Sequence, residues 1–346
     1  MPDVAALLDP IRAIHDRIRD AVVRACERQD TDSLSAVASE QPGDTIYAVD
    51  RVSESVLVDA FGALARDEPL CLVAEGIPGG SVMLPAGARE TDCRWRVLVD
   101  PIDGTRGLMY QKRSAWILTG VAPNRGAATR LSDIVLAVQT EIPLLKQHLS
   151  DQLWARRGAG MHAERTDRIA GTTRPLTLRV SRAHTLRHGF ASVVRFFPGA
   201  RDELAALDDE LMFDVLGPFD EGKAPCFEDQ YLSTGGQLYE LIAGHDRFIA
   251  DLRPLVQPLV QSRGLPRGLC CHPYDLCTAL IAQEAGVALT APDGTALDAP
   301  FDIDADVAWV GYGNADIRAG IEAKLIAILR ARGLLSATRR EAWRTQ

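Results

Sequence analysis

The residues of this chain that are best suited to do chemistry form the sequence Asp-Pro-Ile-Asp-Gly-Thr at positions 100–105. Asp100 and Asp103 are three residues apart across a turn, so their carboxylates can point at one place. The carbonyl oxygen of Ile102 can join them. A cluster of oxygen ligands suits a hard cation such as Mg²⁺. The motif therefore predicts a metal site.

The last two residues of the motif are suited to hold an anion beside that metal. Gly104 tolerates a positive φ and the close approach of a ligand, and Thr105 can cap a following helical turn. Backbone amides at such a turn bind phosphate oxygens. A surface turn would explain an isolated Asp-Gly pair, whereas six fixed residues after a strand favour a functional site. Metal ligands beside an anion site indicate phosphoryl chemistry.

The elements around the motif are predicted to position it. Trp95, Val97 and Val99 alternate with other residues and predict one face of a strand. Pro101 has no N–H to donate, so we expect the strand to end at Asp100 and the chain to turn there.

Three further acidic residues are predicted at the ends of elements. Asp50 opens a helix, Glu75 follows the apolar strand 70–74, and Asp275 opens a helix that runs to Glu284. Either aspartate could simply be an N-cap. Together with the motif, these acids can hold two or three divalent ions, as in-line phosphoryl displacement requires.

The rest of the chain predicts alternating helices and strands in two domains, residues 1–175 and 176–335, followed by a frayed tail at 336–346. Further helices are predicted at 4–28, 237–243 and 315–332, and a loop at 76–93. Further strands are predicted at 115–121, 134–140, 153–156, 176–180, 248–250 and 308–311. Residues 187–230 give no clear pattern.

Composition narrows the function classes. The 346 residues are 47% hydrophobic and 25% charged, with a formal net charge of −9. Such a surface disfavours sequence-independent binding to nucleic-acid polymers. We expect no membrane span, because no apolar run approaches about 18 residues. The seven cysteines form no CxxC pair, and the first residues lack signal-peptide character, so we expect a cytoplasmic protein without structural zinc.

Over most of residues 5–330 the chain resembles the inositol monophosphatase family, within the superfamily of Mg²⁺-dependent, lithium-sensitive phosphomonoesterases. The resemblance is carried by Asp50 in Tyr-Ala-Val-Asp, Glu75 in Val-Ala-Glu-Gly, the intact motif at 100–105, and Asp275 in Pro-Tyr-Asp-Leu-Cys-Thr-Ala. It implies a mixed α+β and α/β fold, the layered α/β/α/β/α sandwich of the inositol monophosphatase-like and sugar phosphatase fold. In that fold an antiparallel sheet with two helices comes first, a smaller α/β half follows, and the metal site lies between them.

The resemblance also implies a role for each site residue. Two or three Mg²⁺ ions, or Mn²⁺ in their place, would be held by Glu75, Asp100, Asp103, Asp275 and the Ile102 carbonyl. The amides of Gly104 and Thr105 would hold a phosphate oxygen. The Thr105 hydroxyl, oriented by Asp50, would position and deprotonate the attacking water.

The chain departs from the family pattern around the site. The departures are Gly76, Gly107, Lys112-Arg113, Tyr274 and Cys277-Thr278-Ala279. None of them removes an implied metal ligand, but they leave the substrate open. The segment Ser233-Thr234-Gly235-Gly236 and Asp251 are the nearest candidates for contacts with the alcohol part of the substrate. The segment 252–272 is longer than its family counterpart and contains Arg253, Arg263 and Arg267. These arginines either bind a second phosphate or carboxylate of the substrate, or they are solvated.

The function implied is Mg²⁺-dependent hydrolysis of a phosphate monoester of a small polyol or sugar. One alternative is a 3′(2′),5′-bisphosphate nucleotidase or fructose-1,6-bisphosphatase type of activity. A second alternative, from another class, is a non-catalytic protein that binds metal or phosphate. The expected partner is a small-molecule phosphate ester, and the resemblance implies a homodimer.

Overall fold

The structure, a computed structural model, describes residues 4–41 and 44–336. Within these ranges the α-helices are α1 (Leu8–Arg28), α2 (Thr31–Leu34), α3 (Asp50–Leu64), α4 (Thr105–Met109), α5 (Arg201–Leu216), α6 (Thr234–Ile242), α7 (Gln257–Ser262), α8 (Ala279–Ala285) and α9 (Ala315–Ala331). The strands are β1 (Val37–Gln41), β2 (Asp44–Tyr47), β3 (Leu70–Ala74), β4 (Ser81–Leu84), β5 (Trp95–Asp103), β6 (Ala115–Pro123), β7 (Leu136–Ile142), β8 (Leu149–Arg156), β9 (Met161–Asp167), β10 (Thr172–Pro175), β11 (Phe190–Val193), β12 (Asp246–Asp251), β13 (Ala288–Thr290) and β14 (Trp309–Tyr312). None of the helices in the described ranges is long and apolar enough to cross a membrane.

Two sheets organise the molecule. The larger has eight strands in the order β10-β9-β8-β7-β6-β5-β3-β4, and its neighbours are antiparallel except for the parallel pair β3 and β5. The smaller has four strands in the order β11-β12-β14-β13, with β11 and β12 parallel. Strands β1 and β2 form a separate antiparallel pair.

The helices and sheets alternate in five layers, because both faces of each sheet are apolar and need a cover. Helices α1 and α3 pack on one face of the large sheet, against residues such as Val97 and Val99. Helices α6 and α8 lie between the two sheets, against Leu98 of the large sheet and Trp309 of the small one. Helices α5 and α9 cover the outer face of the small sheet, against Phe248. This is the predicted α/β/α/β/α arrangement.

Some predicted elements differ from those observed. The strand predicted at 176–180 does not form; Leu176 donates its N–H to the Ala163 carbonyl oxygen of β9 at 2.9 Å, directly after β10, and the alternating Leu176, Leu178 and Val180 pack against the middle layer. The predicted loop 76–93 contains the edge strand β4. The helix predicted from Asp275 to Glu284 is divided into a 3₁₀ turn, Tyr274–Leu276, and α8.

The division into two domains near residue 175 stays a prediction. The tail predicted to be frayed lies outside the described residues from position 337 onward.

Candidate active site

The motif at 100–105 lies where β5 leaves the large sheet. Asp100 pairs with Leu118 and Asp103 with Trp116, and the register shifts between these two pairs. The strand therefore does not end at Asp100 as predicted: Pro101 interrupts the ladder, and pairing resumes at Asp103. The bulge turns the side chains of two aspartates toward one cleft.

Three carboxylates meet in that cleft. Asp100, Asp103 and Asp275 each offer an oxygen atom, and these atoms all lie within 4.8 Å of one another. The 3₁₀ turn Tyr274–Leu276 carries Asp275, whose Oδ2 accepts the His272 N–H at 2.6 Å. Glu75, directly after β3, lines the same open cleft. The structure thus brings Asp100, Asp103 and Asp275 together, and Glu75 and Ile102 line the same cleft.

The carboxylates of this cluster are held at an electrostatic cost. Burial raises the pKa of Asp100 well above its usual range, and the neighbouring Asp103, Asp275 and Glu75 carboxylates raise it further. Burial and then Asp275 raise the pKa of Asp103 to about 7, although hydrogen bonds from Ser233, Gly235 and Thr234 act in the opposite direction. Both shifts arise because negative charges are crowded together away from water. A divalent cation would relieve this repulsion, and the oxygen donors suit Mg²⁺, so the residues present fit a metal.

The N-terminus of α6 holds Asp103 in place. Ser233 Oγ donates to Asp103 Oδ2 at 2.7 Å, the Gly235 N–H donates to the same oxygen at 2.5 Å, and the Thr234 N–H donates to Oδ1 at 3.3 Å. A Cβ on residue 235 would lie 2.9 Å from Asp103 Oδ2 and 2.6 Å from Leu118, so only glycine allows this approach.

These contacts place Gly235 and Gly236, which were predicted to contact the substrate, away from the cleft. Gly235 and Gly236 are buried; the first binds Asp103, and the second donates its N–H to Ser233 Oγ at 2.8 Å. Neither lines the cleft, whereas Ser233 and Thr234 do. The two glycines thus support the acidic cluster from behind.

Thr105 and Asp50 form a direct pair across 55 positions of sequence. Thr105 Oγ1 lies 2.8 Å from Asp50 Oδ1 and 2.9 Å from the Ile102 carbonyl oxygen. Asp50 Oδ2 accepts the Tyr47 N–H at 2.8 Å, so both of its oxygens are engaged. The carboxylate is therefore fixed where it can orient the hydroxyl and take its proton.

Gly104 lets α4 begin directly beside this pair. Its φ is +96°, and a Cβ there would lie 3.0 Å from Ser233 Cβ and 3.3 Å from the Leu232 carbonyl oxygen. A side chain at this position would push the motif away from the segment that holds Asp103.

Asp251, also predicted to contact the substrate, is buried and does not line the cleft. Its carboxylate binds Arg253, which does line it. Arg263 and Arg267 instead form surface ion pairs with Asp202 and Asp306.

Part of the cleft wall is absent from the sequence-based prediction. Phe196 and Phe197 line it, and the Arg106 guanidinium lies 5.6 Å from the ring centre of Phe197. The adjacent phenylalanines fall within 187–230, where no element is predicted. The sequence signal for this part of the cleft wall was Arg106, the arginine directly after Thr105.

The comparisons with known proteins are consistent with this architecture. No protein-family model matches the chain, and no curated protein matches it. Among solved structures, the extragenic suppressor protein SuhB from Bartonella henselae has a TM-score of 0.61 at 18% sequence identity, covering 92% of this chain and 98% of SuhB. Fructose-1,6-bisphosphatase of Leishmania major, in its holo form, has a TM-score of 0.66 at 13% identity, covering 96% of each chain. The shared fold confirms the predicted fold class.

Proposed function

We propose that this chain is a metal-dependent phosphatase that hydrolyses a phosphate monoester of a small polyol or sugar. The observation that carries this proposal is the position of the Asp50–Thr105 pair beside three carboxylates within 4.8 Å of one another. The structural similarity to a fructose-1,6-bisphosphatase supports it.

The chain would hold divalent cations, Mg²⁺ or Mn²⁺, through oxygen atoms alone. The ligands would be Glu75, Asp100, Asp103, Asp275 and the Ile102 carbonyl. When bound, the cations supply screening of the phosphate charge and stabilisation of the leaving oxygen.

The other steps use residues of this chain. The amides of Gly104 and Thr105 donate to a phosphate oxygen, since the first amides of α4 have no partner within the helix. Thr105 Oγ1 accepts a proton from the attacking water while its own proton passes to Asp50 Oδ1. Their separation of 2.8 Å suits this transfer. No covalent intermediate on the protein is required.

A second candidate is a bisphosphatase, of the 3′(2′),5′-bisphosphate nucleotidase or fructose-1,6-bisphosphatase type. Arg253 in the cleft favours it, because a guanidinium binds a second phosphate well. The rival from another class, a non-catalytic binder, needs metal ligands but no base. The contact between Asp50 and Thr105 therefore argues against that rival.

The test is phosphate release from an inositol monophosphate, fructose 1,6-bisphosphate and adenosine 3′,5′-bisphosphate, with Mg²⁺ and with a chelator. We expect metal-dependent turnover of at least one ester, with Asp103→Asn as the inactive control. Metal binding without release from any ester would support the non-catalytic alternative. A homodimer and a cytoplasmic location remain predictions.

A further inference from the structure

Arg253 brings a buried positive charge to the cleft of the acidic cluster. It begins the 3₁₀ turn Arg253–Val256, one residue after β12, is 7% exposed, and lines the cleft together with Asp103 and Thr105. Arginine is almost never this buried unless it is paired. Its partners therefore indicate what it is positioned to do.

Asp251 fixes the guanidinium from one side. Arg253 Nε donates to Asp251 Oδ1 at 2.9 Å, and Nη2 donates to Oδ2 at 2.6 Å. Nη1 donates to the Leu269 carbonyl oxygen at 3.0 Å. Asp251 is fully buried, so its carboxylate serves the arginine and does not face the cleft.

These bonds leave part of the guanidinium available. The group carries five N–H donors, and the bonds to Asp251 and Leu269 use one on each nitrogen. One N–H of Nη1 and one of Nη2 have no acceptor among the described residues. Arg253 forms its ion pair with Asp251. Because Arg253 lines the cleft, these N–H groups are available to a ligand that supplies acceptors.

The plane of the guanidinium is held by its neighbours. Its central carbon lies 4.5 Å from the ring centre of Phe196 and 5.4 Å from that of Phe197, which are cation–π distances. Gln257 ties the segment together, because its Nε2 donates to the Arg253 carbonyl at 3.2 Å and its Oε1 accepts the Gly268 N–H at 2.8 Å. Arg253 is thus positioned before any ligand arrives, which lowers the entropic cost of binding.

We propose that Arg253 binds a second anionic group of the substrate, and that Asp251 is the residue that positions it. The substrate class is then a small phosphate monoester that also carries a second phosphate or a carboxylate. This inference rests on the proposed function and narrows it. A substrate with only hydroxyl groups next to Arg253 would offer weaker, uncharged acceptors to the guanidinium.

Three ligands that share a 6-phosphate and differ at C1 test the proposal: glucose 6-phosphate, 6-phosphogluconate and glucose 1,6-bisphosphate. The key variant is Asp251→Asn/Arg253→Gln, because removing the arginine alone would leave a buried carboxylate unpaired. Arg253→Lys keeps the positive charge but loses the planar pair of donors that a guanidinium offers. Arg267→Gln, which alters a surface arginine of the same segment, is the matched control.

We expect wild type to favour an ester with a second anion over glucose 6-phosphate in kcat/KM. In Asp251→Asn/Arg253→Gln this ratio should fall by about 10- to 100-fold, the worth of charge-assisted hydrogen bonds. Arg253→Lys should be intermediate, and Arg267→Gln should keep the wild-type ratio. Preference for the carboxylate or for the phosphate identifies the second group. An unchanged ratio in the double variant, or a wild-type preference for glucose 6-phosphate, contradicts the proposal.

A binding measurement separates this inference from the proposed function. If no ester is hydrolysed, the phosphatase assignment is wrong, and calorimetry with the same three ligands decides the role of Arg253. Tighter binding of the ligands with two anionic groups, lost in the double variant, supports it. Equal binding of all three ligands to wild type contradicts it. Melting of each variant shows whether it is folded.

Discussion

The buried Thr278 hydroxyl donates to Gln139 Oε1 at 2.9 Å, and Gln139 Nε2 donates to the Gly235 carbonyl at 2.8 Å. Thr278 follows the turn that carries Asp275, and Gly235 binds Asp103. Gln139, on β7, therefore connects the segment that follows Asp275 with the helix that binds Asp103, and both aspartates are proposed metal ligands. Thr278 is one of the departures from the family pattern, and the structure gives it a bonding partner.

Replacing Gln139 tests this link. Gln139→Leu leaves both the Thr278 hydroxyl and the Gly235 carbonyl buried without this partner, so we expect about 2–4 kcal/mol of lost stability in urea unfolding. Thr278→Val removes only one of the two bonds and should cost less. Equal losses in the two variants would show that the Gly235 bond contributes nothing.

Asp275→Asn tests the metal site. Asp275 is preferable to Asp103 here, because Asp103 also holds the N-terminus of α6. We expect Mn²⁺ affinity, measured by calorimetry, to fall at least about tenfold, while the melting temperature without metal holds or rises as carboxylate repulsion is relieved. Asp304→Asn, at an exposed acid, is the control. Unchanged Mn²⁺ affinity in Asp275→Asn would remove this residue from the ligand set.

His15 predicts a pH dependence of stability away from the cleft. Its ring nitrogens lie 2.9 Å from Thr140 Oγ1 and 2.8 Å from Thr119 Oγ1, and burial followed by the Arg19 charge lowers the pKa of His15 from 6.5 to about 3. Below pH 6.5 the unfolded chain binds a proton that the folded chain excludes. The contribution of His15 to stability therefore decreases as the pH is lowered.

The matched variant is His15→Gln, which has no titrating group. The unfolding free energy of wild type minus that of the variant should decrease by about 2 kcal/mol between pH 7 and pH 5. Because other acids titrate in both proteins, the difference is the informative quantity. A difference that does not change with pH would contradict the lowered pKa.

The sequence was most informative where local pattern and chemistry coincide. The motif at 100–105 combines oxygen ligands with turn residues directly after an alternating strand, and the long helices α1 and α9 show clear apolar periodicity. Leu176, Leu178 and Val180 have the same alternation as a strand, but alternation reports burial and not the presence of a pairing partner.

Other parts of the site depend on contacts that no local pattern reveals. Arg253 pairs with Asp251 two positions away, yet it stacks on Phe196, more than fifty positions earlier. Helix α5 was missed because acidic residues interrupt its apolar row. One of them, Asp208, is buried and accepts a hydrogen bond from Arg195 at 3.0 Å. The places of such residues in the fold are decided by tertiary contacts and not by the local sequence pattern.

Asp50→Asn tests whether Asp50 and Thr105 act together. Asparagine is a poor base, so we expect kcat to fall by about 10²–10⁴, with little change in KM. The double variant with Thr105→Val should lose little more than either single variant, since residues that act as one unit are not additive. Independent, multiplicative losses would mean that the two residues do not share one proton-transfer step.

The most direct test of the account is kcat of Thr105→Val beside Thr105→Ser, with Mg²⁺ and the best ester of the panel. Valine keeps the shape of threonine without the hydroxyl, whereas serine keeps the hydroxyl that contacts Asp50 at 2.8 Å. We predict a loss of about 10²–10⁴ in kcat for Thr105→Val and a loss below about tenfold for Thr105→Ser. A folded Thr105→Val enzyme with wild-type kcat would contradict the proposed water activation.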